Sequence, residues 1–298
     1  MQSPSFVVFD DRGVLAVSGP HRRAFLQGLV SNDVERVGAA RAAYAALLTA
    51  QGKYLHDFIM VERDEAILFD TEADRLADLA RRLSVYRLRA KVAIAAEPDL
   101  AVAAVFGPDA LPALELPANP GVARPLATGI AFVDPRLAAL GARCILPRAT
   151  ARADLVAAGF AEGDIVSYDQ LRLGLGVPDG SRDLSIEKSL LLESGFDELN
   201  GVDWHKGCYI GQELTARTKY RGLVKKRLVP VEIVGPAPAP GTPVLADGRD
   251  AGEMRSSRGR LGLALLRLDP VKEGRRLEAA GALLHPRPPD WLRLDAKN

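Results

Sequence analysis

Residues 204–217 read WHKGCYIGQELTAR, and this segment decides how the rest of the chain is interpreted. Gly207 and Gly211 bracket Cys208, and glycines on both sides allow the backbone a tight path around the thiol. A glutamate at 213 and an arginine at 217 form an i,i+4 pair in the favourable order. We therefore expect a helix to begin near Gly211, with Cys208 close to its N-terminus.

The surroundings of Cys208 favour a reactive thiol. Lys206 lies two residues away, and both a neighbouring cation and a helix N-terminus favour the thiolate over the thiol. Cys208 and Lys206 are therefore candidate catalytic residues. The alternative is that Cys208 is simply a small buried residue, as most free cysteines are.

Composition limits the classes of protein that the chain can belong to. It has 298 residues and a formal net charge of +1, so we expect two or three domains and no direct binding of nucleic acid. Two cysteines and four scattered histidines lack the spacing of a disulfide scaffold or of an intrinsic metal site. We find neither a signal peptide nor the ~18-residue apolar run of a membrane span. The sequence therefore predicts a cytoplasmic protein with no membrane contact.

The order of secondary-structure signals predicts an α+β fold. Four segments (44–48, 54–61, 66–69 and 91–96) read as strands, and Thr71 with Asp74 resembles a capping box for a helix that ends near Leu83. From Lys225 onward, two apolar runs and the hairpin signal Asp247-Gly248 predict a small all-β domain. Such a mixture argues against a doubly wound parallel sheet.

The segment 206–213, KGCYIGQE, followed by an Ala-Arg pair at 216–217, resembles the signature of the YgfZ family. Residues 19–33 are similar to the opening of that family, and residues 48–58 to its L-x-x-x-G-K-x-x-x-D stretch. Residues 169–180 and 193–203 also resemble the part of the family sequence that precedes its signature. The resemblance covers most of the chain up to Val234 and is weakest between Leu100 and Ile165.

The resemblance implies a T-protein-like ring of three domains, similar to the glycine-cleavage T-protein, with ferredoxin-like α/β domains and a C-terminal β-barrel. It implies a discontinuous folate-binding domain at 1–46 plus 150–222, an inserted α+β domain at 47–149, and a barrel at 223–298. The implied cofactor is tetrahydrofolate or a one-carbon derivative.

The resemblance also assigns roles to single residues. A family carboxylate that recognises the pterin matches Glu193, and a carboxylate can accept two N–H bonds from a 2-aminopteridine edge. The alternative for Glu193 is a carboxylate at a helix end or on the surface. Four further residues are expected to bind the cofactor: Gly207, Tyr209, Gln212 and Arg217.

Two departures separate the chain from the true aminomethyltransferases of that family. Their Asp-Asp pair reads His56-Asp57 here, and their Arg-Leu-Glu-Ala-Gly stretch reads RLGLG at 172–176 and lacks its carboxylate. Catalysis beside the folate nitrogen needs a placed acid or base, and Asp57 is the remaining candidate. The alternative for Asp57 is a polar residue at a strand end.

A basic run follows the signature, with six cations and no acid between positions 217 and 227. It predicts either an anion site, for the glutamate tail of folate or an acidic partner surface, or a solvated face. Its members are Arg217, Lys219, Arg221, Lys225, Lys226 and Arg227.

The departures favour a folate-binding protein that supports the assembly or repair of iron–sulfur clusters, with Cys208 as its functional thiol. The expected partners are iron–sulfur client or assembly proteins, with tRNA-modifying enzymes among the clients, and the chain is expected to be a monomer. One rival is a folate-dependent aminomethyl or methyl transferase that uses Asp57 as acid or base. A second is a folate-binding regulator in which Cys208 has no role.

Overall fold

The computed structural model describes residues 4–294. In chain order, its strands are β1 (Ser5–Val8), β2 (Arg12–Ser18), β3 (Ala43–Leu48), β4 (Tyr54–Arg63), β5 (Ala66–Glu72), β6 (Ala93–Ala96), β7 (Leu100–Phe106), β8 (Ala123–Pro125), β9 (Ile130–Val133), β10 (Ala142–Pro147), β11 (Ala161–Glu162), β12 (Lys226–Val234), β13 (Pro243–Ala246), β14 (Arg249–Arg258), β15 (Leu261–Arg267), β16 (Leu277–Ala279) and β17 (Ala282–Pro286). Its α-helices are α1 (Arg22–Gln27), α2 (Leu76–Val85), α3 (Ala110–Ala113), α4 (Ala151–Ala157), α5 (Ile165–Gly174), α6 (Gly180–Asp183), α7 (Gln212–Tyr220) and α8 (Leu268–Lys272). Among these residues, no helix combines the length and apolar character needed to cross a bilayer.

The chain divides into two compact units, each built from separate stretches of sequence. Unit 1 comprises the described part of Met1–Leu47, with His56–Ile165 and Leu199–Ile210. Unit 2 comprises Leu48–Leu55, Val166–Glu198 and the described part of Gly211–Asn298. The three-domain boundaries expected from the sequence stay a prediction.

Unit 1 is built on two sheets. One has the strand order β11-β1-β7-β10-β9-β8, and the other has the order β3-β4-β5-β2-β6. Strand β7 is buried from Ala101 to Phe106 and contains three alanines and two valines, and these small side chains allow close packing on both faces of the sheet. The helix α2 packs against β2 and β6.

A chain of buried charges joins the two sheets of unit 1. The Asp70 carboxylate on β5 accepts from Arg12 at 2.6 Å and from Arg143, on β10 of the other sheet, at 3.2 Å. Arg143 also forms an ion pair with Asp134 at 3.4 Å, and Asp134 accepts two bonds from Arg136 at 2.9 and 2.7 Å. Burial alone would raise the pKa of Asp134, but the two guanidinium groups lower it overall.

Unit 2 contains a closed barrel of order β12-β15-β14-β13-β16-β17. Alternate residues of β12, Val229, Val231 and Ile233, are buried in its core. Leu228, directly before Val229, packs instead with Leu173 of α5. The predicted hairpin at Asp247-Gly248 is confirmed, since those residues join β13 to β14.

One local prediction is wrong. Thr71 was expected to cap a helix, but β5 extends through Glu72 and α2 begins at Leu76 without a side-chain cap. Thr71 and Asp70 pair with Gly13 and Val14 of β2. This antiparallel pairing, together with the ion pair of Asp70, overrides the local capping signal.

We expect Asp70→Asn to reduce the free energy of unfolding by about 3 kcal/mol or more, because the buried Arg12 loses its ion pair with Asp70 and the buried Arg143 loses one of its two carboxylate partners. Urea denaturation at neutral pH measures this change. The matched control is Asp250→Asn, which removes an exposed ion pair with Arg267 and should cost about 0.5 kcal/mol or less. Equal effects of the two substitutions would show that the Asp70 network does not support the fold.

Candidate functional site

Cys208 lies on a loop of unit 1 whose backbone is held by its neighbours. The Asp203 carboxylate accepts from the backbone N–H groups of His205 at 2.7 Å and Lys206 at 2.8 Å. The buried Lys206 ammonium donates to the carbonyl oxygens of Val30 at 2.6 Å and Asn32 at 2.7 Å. The loop is therefore anchored on both its main chain and its longest side chain.

Lys206 is mainly an anchor in this geometry. Its nitrogen lies 5.2 Å from the centre of the Tyr209 ring, which is itself buried. Burial lowers the pKa of Lys206 to about 8, against the opposing influence of Asp33 and Asp203. The expected role of Lys206 in activating the thiol stays a prediction.

The two cysteines lie in opposite environments. Cys208 is exposed, whereas Cys144 on β10 is buried. Burial raises the pKa of the Cys144 thiol to about 12, so Cys144 is a core residue that stays protonated. Cys208 is thus the thiol that another molecule can reach, and the interpretation of Cys208 as a buried residue is wrong.

The two glycines around Cys208 differ in whether the structure requires a glycine at their position. A Cβ added to Gly207 would have open space around it. Gly211, which begins the last stretch of unit 2, has φ +81°, and an added Cβ would lie 2.6 Å from the Thr49 carbonyl oxygen and 2.9 Å from the Gly52 Cα. Gly211 is therefore required by both conformation and space. The helix predicted near this position begins at Gln212.

Asp57, the candidate acid or base, lies in a buried pair on β4. Its side chain is nearly inaccessible and accepts a hydrogen bond from the Tyr44 hydroxyl at 2.9 Å. Burial, followed by the charge of Asp57, raises the pKa of Tyr44 well above its usual value. The adjacent His56 bonds to Asp78 at 2.9 Å, and burial lowers the pKa of His56 to about 4. His56 is therefore neutral at physiological pH.

Glu193 lies in unit 2, on the short turn Leu192–Ser194. It is half-buried, and among residues 4–294 no hydrogen bond or ion pair reaches its carboxylate. Burial raises the pKa of Glu193, although four surrounding cations oppose that shift. These cations are Lys226, Lys53, Arg255 and Arg227.

Two of these four cations, Arg227 and Arg255, form hydrogen bonds and ion pairs with other residues. Arg227 donates to Glu198 at 2.8 and 3.1 Å and to the Leu192 carbonyl at 2.7 Å. Arg255 donates to Ser185 at 2.6 Å and pairs with Glu253. Neither guanidinium bonds to Glu193, so the carboxylate keeps its lone pairs for a ligand.

The structure distributes the other expected site residues between the two units. Gly207 and Tyr209 lie with Cys208 in unit 1. Gln212 and Arg217 belong to α7 of unit 2, which packs against the Glu193 turn. In the basic run, Lys219 pairs with Asp197 at 3.0 Å and Arg227 with Glu198, while Arg217, Arg221 and Lys225 are exposed.

Sequence reasoning missed Lys53 and Arg255 as neighbours of Glu193. They lie far from Glu193 along the chain, and Arg255 carries no local motif. Lys53 does belong to the G-K pair of the stretch 48–58, which was noted only as a resemblance. Among the described residues, no three His, Cys, Asp or Glu side chains are placed to hold a metal ion.

Comparison with known proteins identifies relatives over nearly the whole chain. The model for the CAF17 C-terminal beta-barrel domain matches residues 225–294. The iron-sulfur cluster assembly factor IBA57, mitochondrial, of Homo sapiens is 38% identical over 305 residues, covering 95% of this chain and 83% of the human protein. Its Mus musculus counterpart is 37% identical and covers 88% of this chain and 77% of the mouse protein.

A solved structure supports the fold assignment. The glycine cleavage system aminomethyltransferase T from Bartonella henselae matches with a TM-score of 0.78 at 15% identity, covering 97% of this chain and 86% of that one. The expected T-protein-like fold with a C-terminal barrel is therefore confirmed. The predicted resemblance to the YgfZ family is supported only in part, by the shared T-protein-like fold and the CAF17-type barrel. The predicted cytoplasmic location is contradicted, because the human and mouse relatives are both named as mitochondrial.

We expect Glu193→Gln to stabilise the folded protein at pH 8. Folding raises the pKa of Glu193, so ionisation of this carboxylate lowers the free energy of unfolding. The loss begins near pH 4.3, the pKa of a free glutamate, and is complete above the pKa of the folded state. The variant should therefore have the higher free energy of unfolding at pH 8, with a smaller difference at pH 4. Guanidinium denaturation at both pH values, with the exposed Glu278→Gln as control, measures this. A variant less stable than the parent at pH 8 would mean that Glu193 has a stabilising partner inside the protein.

Proposed function

Because the chain belongs to the family of IBA57 iron–sulfur cluster assembly factors, we propose that it supports the assembly or maintenance of iron–sulfur clusters in client proteins. The observation that carries the proposal is the exposed Cys208 on an anchored loop. A thiol held in this way is accessible to another protein at little cost in ordering.

One thiol limits the mechanisms that are available. Clusters normally take several protein ligands, and the described residues offer no group of three that could hold a metal. A cluster that contacts Cys208 therefore takes its remaining ligands from a partner. Two other roles are compatible with the same thiol, namely accepting sulfur and reacting with a one-carbon fragment carried by folate.

We further propose that Glu193 recognises a reduced folate, with tetrahydrofolate or a one-carbon derivative as the ligand. The residues present fit this group. The Glu193 carboxylate is half-buried and keeps its acceptor capacity, and the N–H edge of a pterin supplies the donors that such a carboxylate accepts. When bound, the folate would supply a carrier for one-carbon units. The charges of Lys53 and Lys226 lower the pKa of Glu193, against the effect of burial. The same two positive charges would attract the anionic glutamate tail of folate.

The transferase alternative has less support. Asp57 is buried and bonded to Tyr44, and its neighbour His56 is held by Asp78. An acid or base must come within hydrogen-bond reach of the reacting nitrogen, and the Asp57 carboxylate would first have to leave this pair.

We expect Cys208→Ser to abolish the ability of the protein to restore iron–sulfur enzyme activities in cells that lack it. The oxygen of serine is a poor replacement for a thiolate toward iron or sulfur. The control is Cys144→Ala, which removes the buried thiol and should restore those activities at matched protein levels. Full restoration by Cys208→Ser would disprove the role of this thiol.

We expect Glu193→Gln to weaken the binding of tetrahydrofolate by about tenfold or more, because an amide cannot accept two charge-assisted N–H bonds. Isothermal titration calorimetry under anaerobic conditions measures the dissociation constant. The exposed Glu278→Gln is the charge-matched control and should bind like the parent. Unchanged affinity in Glu193→Gln would remove the folate assignment from this residue.

A further inference from the structure

Unit 1 exposes a short apolar and cationic segment that the proposed function does not use. Residues 85–91 read VYRLRAK and begin at Val85, the last residue of α2. Val85 is 63% exposed, Tyr86 45% and Leu88 89%. Three large apolar side chains in four residues are unusual on a surface that contacts only water.

The cations of this segment carry no internal counter-charge. Arg87, Arg89 and Lys91 are exposed, and among residues 4–294 none of their side chains makes a hydrogen bond or ion pair. By contrast, Arg81 and Arg82 on α2 both pair with Asp78, at 2.5 and 2.7 Å. From position 79 to position 96 the sequence contains no acidic residue. The segment therefore presents three uncompensated positive charges around its apolar side chains.

The backbone of the segment is fixed at both ends. The N–H groups of Tyr86 and Arg87 donate to the last turn of α2 at 3.0 and 3.1 Å, and Ala90 donates to the Arg87 carbonyl at 2.7 Å. The Lys91 N–H donates to the ring nitrogen Nδ1 of His21 at 3.0 Å. A partner would thus meet a preformed surface, and this limits the entropy lost on binding.

Leu88 adds an observation that stability does not explain. Its φ is +42°, in the left-handed region where a side chain with a Cβ is strained and glycine is not. A leucine here is both strained and almost fully exposed, so it contributes little to the core. Local strain at an exposed side chain supports a role in contact with another molecule.

We propose that residues 85–91 form a docking surface for an acidic protein, with Leu88 and Tyr86 as apolar anchors and Arg87, Arg89 and Lys91 as charge partners. Tyrosine and arginine are enriched in protein interfaces, and opposite charge guides association. A single aromatic side chain is too few for base stacking along nucleic acid. The short apolar cluster lacks the extended apolar face of a membrane-surface helix.

The docking surface and the Cys208 loop are linked through α1. His21, which holds Lys91, precedes this six-residue helix, about 9 Å long. Beyond its other end lie Val30 and Asn32, whose carbonyls hold Lys206. This inference deepens the proposed function, on which it rests, because it assigns binding of a protein partner to a surface separate from the thiol.

The test uses the full-length protein with the photo-crosslinking amino acid p-benzoylphenylalanine in place of Tyr86. After irradiation in cells, the crosslinked peptide is sequenced by mass spectrometry, and the protein that contains it is purified and titrated against defined variants. These are Arg87→Glu/Arg89→Glu, Leu88→Gly, Cys208→Ser, and the control Arg276→Glu/Arg293→Glu, which makes the same charge change at exposed positions of unit 2.

We expect the crosslinked peptide to be net negative and to contain apolar residues. The Arg87→Glu/Arg89→Glu variant should weaken binding by about tenfold or more, and added salt should weaken binding of the parent. Leu88→Gly should weaken binding while raising the melting temperature, because glycine relieves the strain. The control double variant should bind like the parent.

The proposal is overturned if no protein crosslinks at position 86, if the crosslinked peptide is basic, or if the two double variants bind alike. Crosslinking to nucleic acid, or loss of binding to phosphatidylserine vesicles in the same variants, would also overturn it in favour of another partner class. Cys208→Ser separates this proposal from the proposed function. Retained docking with lost cluster activity supports both, and lost docking in that variant would place the partner on the thiol instead.

Discussion

Unit 1 depends on one buried carboxylate placed between guanidinium groups that come from different sheets. Asp70 binds Arg12 of its own sheet and Arg143 of the other, so a shift of one sheet against the other would break the buried ion pair between Asp70 and Arg143. Buried ion pairs of this kind contribute little net stability compared with apolar packing, but breaking one is costly. We infer that the pair between Asp70 and Arg143 favours one arrangement of the two sheets over others that apolar contacts alone would permit.

The same polar system continues toward the exposed thiol. Arg143 pairs with Asp134, which binds Arg136, and the intervening Pro135 carbonyl accepts from the side-chain amide of Asn200 at 3.1 Å. The Asn200 carbonyl accepts in turn from Asn32, whose own carbonyl accepts from Lys206. The position of the Cys208 loop is thereby tied to the arrangement of the sheets. Under the function proposed above, this fixed position would let Cys208 meet its partner in one geometry.

The sequence predicts an element of secondary structure correctly where contacts between residues close in the chain determine that element. The helix at Gln212 follows from an i,i+4 pair, and the β13–β14 hairpin follows from Asp247-Gly248. The start of α2 was misplaced because pairing between β5 and β2, which are about fifty residues apart, decides the conformation of Thr71.

The candidate site shows the same division between local and distant contacts. Glu193 and Cys208 are recognisable from short motifs, but the cations that surround Glu193 come from three separate parts of the chain. No local pattern could have brought Arg255 next to Glu193. The anchoring of Lys206 by Val30 and Asn32 is also invisible in the sequence, because those groups are backbone carbonyls 176 and 174 residues away.

The interleaving of the two units has a consequence for biosynthesis. Unit 1 takes its last stretch from Leu199–Ile210, and unit 2 takes an early piece from Leu48–Leu55. A ribosome that adds 5–20 residues per second needs roughly 10 to 40 s to reach Ile210. The described strands of unit 1, β1 to β11, all precede Gly163, so its two sheets can pair before Ile210 is made. The thiol-bearing loop is therefore the part of unit 1 that is synthesised last, and it packs onto sheets that are already complete.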